Sequence, residues 1–394
     1  MKVNFAPVNN FYEKQVHKEP VYKQAFKGYD ARPLKAVVMT VCDDPKSFDI
    51  IKQFSKIGKI EGFKVYFVNQ KKAFCANLDK IKKFFEPEEY VNGYTKWVQD
   101  YVVLTPHKKL LSDGIYQKTK VVKTIENLSG SKHELCPHLI DGGNLFFVKN
   151  GGQNELFVGA EGMFGKNIEA VKKTYGVSKV HIIPQADFHL DLFIRPLNNK
   201  RVLVADDKLT IKEISAALRN IKKLINKNDC TQVRKKQLLE VEAKLTDFLK
   251  EFRKDVKNLK NPDAAQIASC LEHKGFSPIR VPGRIYYRIP AGENRDDLVH
   301  SMNYMNAVVH ERADGALCYV TNKSELNEIF GITPEISEEI GFDFEKMFIK
   351  CLEPYVKKEK IYFIEGRDNK MADLLEEESG ALHCLSNEIP AEFF

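Results

Sequence analysis

The chain has 394 residues, 43% of them hydrophobic and 29% charged, with a formal net charge of +7. This is the composition of a soluble globular protein with enough apolar residues for a large core. No stretch approaches the ~18 consecutive apolar residues of a membrane span, and the N-terminal MKVNFAPVNNFYEKQ lacks the apolar region of a secretory signal. Eight cysteines are scattered without pairing motifs, which indicates reduced thiols and a cytoplasmic protein.

The predicted elements follow one loose recurrence. A helical stretch ends near a glycine or polar break, and a short β-branched or aromatic strand follows. IIKQFSKIGKIEGFKVYFV, IEAVKKTYGVSKVHII, AAQIASCLEHKGFSPIRV and FEKMFIKCLEPYVKKEKIYFI are the cases. Each is followed by a second strand carrying polar residues, and YVVLTPH, LFFVK, HLDLFI, NYMNAVVH and ALHCLS are these second strands. Helices alternating with strands predict an α/β fold built from repeated units.

The polar residues come in short groups. WVQDY (97–101) holds the only tryptophan, Trp97, three residues before Asp100. SKHELCPH offers His133, Cys136 and His138, but no second knuckle accompanies them, so no zinc site is expected. DGGN (141–144) opens the run LFFV, where paired glycines permit close backbone approach. No Gly-Lys-Ser/Thr follows, which argues against a phosphate-binding loop, and no G-x-S-x-G elbow exists for a serine hydrolase.

ADFHLDLFIRPL (186–197) reads as a strand. Alternation then puts His189, Asp191 and Phe193 on one face, with Arg195 beyond them where a carboxylate could meet it; Leu190, Leu192 and Ile194 take the other. Taken alone, His-x-Asp fits a satisfied core histidine and a solvent-facing aspartate as well as a site.

Residues 208–260 have helical period, with Ile211, Ile214, Leu218, Ile221 and Ile225 on one stripe. Leu238, Leu245, Phe248, Phe252, Val256 and Leu259 form another. Asn226-Lys-Asn-Asp229 supplies the turn of a helical hairpin. It carries 15 Lys/Arg against 7 Asp/Glu, so the basic surplus of the chain resides here. Without interleaved aromatics for base stacking it reads as a solvated face, not a nucleic-acid site, and it leaves open an acidic protein partner. Next in the chain, Asn261 and Pro262 read as N-cap and first residue of a helix that ends before Gly275. SMNYMNAVV (301–309) carries Asn306. GALHCLSNEIP (380–390) places Cys384 in a strand-like run, as a buried structural thiol or as a nucleophile. His383 would face away from it.

Together, WVQD, DGGN, HLD, YMN and GALHC, in this order over nearly the whole chain, resemble the pentein superfamily of guanidine-modifying enzymes. The likeness is nearest to its agmatine deiminase and bacterial peptidylarginine deiminase branch. Two positions depart from that pattern: Gln99 stands where arginine is usual, and Asp141 where glutamate is common. The resemblance implies a five-bladed αβ propeller over residues 1–394 as a single catalytic domain, with 208–260 an inserted basic helical hairpin. It implies Cys384 as nucleophile, His189 as acid/base and Asp141 as the group that orients His189. Asp100 and Asp191 would accept the guanidinium's N–H forks, Trp97 would stack on it, and Asn306 would line the pocket. The expected substrate is a small guanidine or a peptide's arginine side chain; neither cofactor nor metal is implied. Hydrolysis, amidino transfer to an amine and a non-catalytic binding protein on the same fold all remain open at this point.

Overall fold

The computed structural model describes residues 32–41, 45–70, 90–93, 102–112, 120–136, 139–186, 189–198, 200–258, 262–289, 298–365 and 386–391. It is a mixed α/β structure of several small sheets. The chain starts with β1 (Leu34–Val41), helix α1 (Pro45–Glu61), β2 (Lys64–Gln70) and β3 (Tyr90–Gly93). β1 and β2 pair in parallel across the α1 crossover, and β3 extends the sheet.

The same arrangement then recurs with an antiparallel strand placed first. β4 (Val102–Leu104) pairs antiparallel with β5 (Lys109–Ser112), which pairs in parallel with β6 (Lys132–Leu135) across helix α2 (Lys120–Ser129). β7 (Leu145–Asn150), β8 (Gln153–Gly159), helix α3 (Ile168–Tyr175) and β9 (Lys179–Ile183) repeat it. So do β10 (Ile194–Pro196), β11 (Arg201–Ala205) and β12 (Ser277–Val281), with three helices in the crossover: α4 (Asp207–Ile225), α5 (Gln232–Asn258) and α6 (Ala264–His273). A separate two-stranded hairpin, β13 (Arg284–Ile289) and β14 (Leu298–Asn303), intervenes. The next unit is β15 (Val308–Glu311), β16 (Leu317–Asn322), helices α7 (Leu326–Phe330), α8 (Pro334–Ile340) and α9 (Phe344–Leu352), and β17 (Ile361–Ile364). Finally β18 (Ser386–Pro390) pairs antiparallel with β1. Among the described residues there are thus five units with one strand order, and the first takes its antiparallel strand from the far end of the chain. The fifth helix–strand pair, α2 with β6, is one the sequence recurrence passed over.

Local chemistry accounts for the ends of these helices. Asn167 caps α3 by accepting from the amides of Glu169 and Ala170. α6 starts two residues later than Asn261–Pro262 predicts: Asp263 is its N-cap, accepting from Gln266 N while the Gln266 side chain accepts from Asp263 N. Asn261 itself lies outside the described residues. The helix stops before Gly275, at φ +83°, a conformation suited to glycine.

The strand predicted over ADFHLDLFIRPL needs correction. Leu190–Leu192 form a single 3-10 turn closed by Phe193 N donating to Leu190 O, and only Ile194–Pro196 is strand. Every residue from Leu190 to Leu197 is buried. Where burial does not alternate, period-2 reasoning assigns no faces.

The helical pair α4 and α5 is no surface appendage. Its buried stripe shares one core with the helices of the following unit: Phe248 stacks on Phe252 at 5.4 Å and meets Phe330 at 5.2 Å between ring centroids. Its lysines and arginines take the other face. Leu259 lies outside the described residues.

Candidate active site

The three motif residues that fall among the described residues occupy one topological position. Asp141 precedes β7, Asp191 precedes β10 and Asn306 precedes β15, each by two to four residues. Asp100 and Cys384 each come two residues before the described starts of β4 and β18; together with Trp97 they lie outside the described residues. In each unit the antiparallel strand starts opposite the carboxyl end of its parallel pair: Val102 faces Ser112, Leu145 faces Val158, Ile194 faces Val204, Val308 faces Val320 and Ser386 faces Met39. The carboxyl ends of parallel strands are where α/β sheets hold ligands.

Two of the motif turns touch. DGGN forms a 3-10 turn over Gly142–Asn144, with Asn144 N donating to Asp141 O at 2.8 Å. A Cβ built on Gly143 would lie 2.4 Å from His189 Nδ1 and 2.8 Å from its Cγ, so the imidazole lies against the glycine backbone. Gln185 ties the DGGN turn to the 3-10 turn at Glu161–Met163. Its Nε2 donates to Asn144 Oδ1 at 2.9 Å, and its Oε1 accepts from Glu161 N at 2.9 Å. Gly159 is needed under this bridge, because a Cβ there would stand 2.4 Å from Gln185 Oε1. Gly143 and Asn144 were visible within DGGN, although only the tertiary contact gives them a reason. Gln185 had no sequence signal.

Asp191 is fully buried within its turn and His189 is half-buried at the turn's start, while Asp141 is exposed at the edge of DGGN. Asn306 is fully buried in the bend between β14 and β15. That bend is shaped by Asn303, whose Oδ1 accepts from Met305 N and Asn306 N. Tyr304 O holds it from the other side, accepting from Tyr319 Oη at 2.6 Å and Thr321 Oγ1 at 3.2 Å.

A cavity of about 810 Å³ adjoins the His189 turn, lined by Ala186, Phe193, Asp206, Asp207, Arg280 and Arg284, among others. Asp206 caps α4 and receives Arg280 at 2.6 Å. Burial pushes the Asp207 carboxyl up to about 6, opposed by Arg284 and reinforced by Asp206.

Of the His133–Cys136–His138 group, two members fall among the described residues. His133 Nε2 is 2.7 Å from Ser112 Oγ and Cys136 is buried, while His138 lies outside the described residues. No cluster of three metal-donor side chains occurs among the described residues, and no helix there is long and apolar enough to cross a membrane.

No protein-family model matches the chain, and no curated protein does. Among solved structures it is similar to an agmatine deiminase from C. jejuni, at 14% identity and TM-score 0.49, covering 94% of this chain and 98% of that one. It is also similar to ArgZ, an arginine dihydrolase from the ornithine-ammonia cycle in cyanobacteria. There the identity is 10% and the TM-score 0.38, over 91% of this chain and 39% of that one. At these values neither likeness assigns an activity.

Proposed function

We propose that this chain is a pentein-type guanidine-modifying hydrolase, its five units the blades of an αβ propeller and its five motifs gathered at one end. One observation supports the reading: Asp141, Asp191 and Asn306, picked out from sequence alone, each stand shortly before the antiparallel strand of a different unit, opposite the carboxyl end of that unit's parallel pair, and Asp100 and Cys384 come two residues before β4 and β18 in the sequence. Unrelated polar groups would have no reason to recur in this way.

The chemistry follows from the residue types. A guanidinium stays protonated and presents planar N–H forks, which carboxylates accept as paired charge-assisted bonds. Asp100 and Asp191 hold the forks, and Trp97 stacks on the cation. The Cys384 thiolate, favoured by the bound cation, attacks the guanidinium carbon. As the C–S bond forms, His189 donates its proton to one nitrogen, the C–N bond breaks and ammonia leaves. His189 then takes a proton from water, whose oxygen adds to the same carbon. The C–S bond breaks as the remaining hydroxyl proton passes to solvent, where the released ammonia takes it up, and a neutral ureido product leaves with the thiolate restored. Asp141 orients His189, and Asn306 lines the pocket. The site uses no cofactor, and its reduced thiol suits a cytoplasmic setting.

The test is ammonia release from free arginine, agmatine, methylated arginine and arginyl peptides, with and without an acceptor amine. Ammonia from at least one guanidine, unaffected by the amine, is expected. Formation of a new guanidino compound would reassign the chain to amidino transfer. No product from any of them would sink the enzymatic reading.

A further inference from the structure

Arg195 and Glu388 stand 193 residues apart in the chain, and Arg195 Nη2 donates to Glu388 Oε1 at 2.9 Å. Both side chains are out of water, 0% and 6% exposed. Two further strands reach the pair. The ring of Phe146 lies 5.3 Å from the Arg195 guanidinium carbon, and the Val309 backbone hydrogen-bonds the Glu388 carboxylate. The four residues belong to β10, β18, β7 and β15, the antiparallel strands of four different units. Burial pushes the Glu388 carboxyl up, while Arg195 and Arg32 pull it down.

Position along the strands gives the pair its meaning. Arg195 follows Asp191 by four residues and Glu388 follows Cys384 by four; Phe146 follows Asp141 by five and Val309 follows Asn306 by three. Chain length alone keeps Cys384 within about 14 Å of Glu388. A buried ion pair is poorly explained by stability, since apolar residues of similar volume often serve equally well or better. What it adds is direction: a guanidinium–carboxylate bond fixes distance and angle, whereas apolar strand faces can slide past each other.

We infer that Arg195 and Glu388 are positioning residues: their bond sets β18, which starts two residues after Cys384 in the sequence, in register against the His189–Asp191 turn, and so sets the proposed nucleophile against the acid/base and the guanidinium carboxylate. The inference rests on the function proposed above.

The test replaces the pair by Arg195→Met together with Glu388→Met, filling the space without charges. Thermal unfolding and ammonia-release kinetics are measured beside the alkylation rate of Cys384. Two reagents are compared, chloroacetamidine, which must sit in the guanidinium site, and iodoacetamide, which need not. Because Arg32 also loses Glu388 as its counter-charge, the double variant is expected to fold but to unfold below the wild type, and at a temperature where both are folded its kcat falls by at least about tenfold. Its amidine-to-amide labelling ratio is expected to fall with kcat. A folded double variant with wild-type kcat and labelling ratio overturns the inference. If that variant does not fold, Arg195→Lys decides, keeping the charge without the planar fork; unchanged kcat there overturns it too. A wild type showing neither turnover nor substrate-protected labelling refutes the proposed function, and this inference with it. An impaired variant beside an active wild type isolates the pair.

Discussion

Gly143 and His189 lie against each other across two turns from neighbouring units, so closely that a methyl group on Gly143 would stand 2.4 Å from the ring's Nδ1. Gly143 is not among the glycines with positive φ, so its backbone conformation is open to any residue. What requires glycine is the approach of the imidazole. The orientation of the proposed acid/base is therefore set partly by the absence of a side chain opposite it.

Gly143→Ala is accordingly expected to fold normally and to lose activity. The added carbon must displace the His189 ring, and a misplacement of about 1 Å at a reacting group can cost on the order of 100-fold in rate. Steady-state kinetics with thermal unfolding as control checks this; wild-type kcat in the variant would show that the ring does no proton transfer.

Thiol reactivity should single out Cys384. Burial raises the thiols of Cys270, Cys318 and Cys351 above the usual cysteine range, so none is a ready thiolate at neutral pH. Mass spectrometry after treatment with a haloacetamidine is expected to find Cys384 labelled first and protected by substrate. Cys384→Ala should abolish turnover, and Asp191→Asn should raise KM as well as lower kcat. Dominant labelling of another cysteine, or turnover without Cys384, would refute the mechanism.

The helical pair α4–α5 should be essential to the fold. Phe248 is 1% exposed and joins the core of the unit that follows. Phe248→Ala is expected to cost about 3–5 kcal/mol in denaturant unfolding, and replacing 208–260 by a Gly/Ser connection to expose Phe330 and Ile336. A loss below about 1 kcal/mol for Phe248→Ala would show that the hairpin folds apart from the body.

Asp207 should leave a signature in the pH dependence of stability. Its carboxyl titrates at about 6 when folded, against 3.8 as the reference, so between these values the folded protein holds a proton that the unfolded chain has released. Stability from this group is fully present below the lower value and is lost as pH rises through the higher one. Asp207→Asn should flatten that slope, by on the order of 3 kcal/mol across the window. Urea titrations at a series of pH values give the comparison; an unchanged slope would mean that another group carries it.

Local features were legible in the sequence because their causes are local. The α4–α5 hairpin announces itself through apolar spacing, α6 through Gly275 at its end, and the repeated helix–strand units through a change of period from helical to extended. The proposed site residues were picked out by the order of their short motifs along the chain, each bland by itself. Their faces were not legible. Leu190–Leu197 is buried throughout, so the His189 segment carries no alternation to read, and its 3-10 turn emerges only from packing on every side. Gly143 against His189, Gln185 beneath Asn144 and Arg195 on Glu388 join residues tens to hundreds of positions apart. Periodicity, which compares a residue with neighbours a few places away, has no access to such pairs. The pairing of β1 with β18, which joins Leu34 to Pro390, was likewise decided only in three dimensions, because a strand's partner is chosen by which hydrogen-bonding edge the rest of the chain leaves beside it.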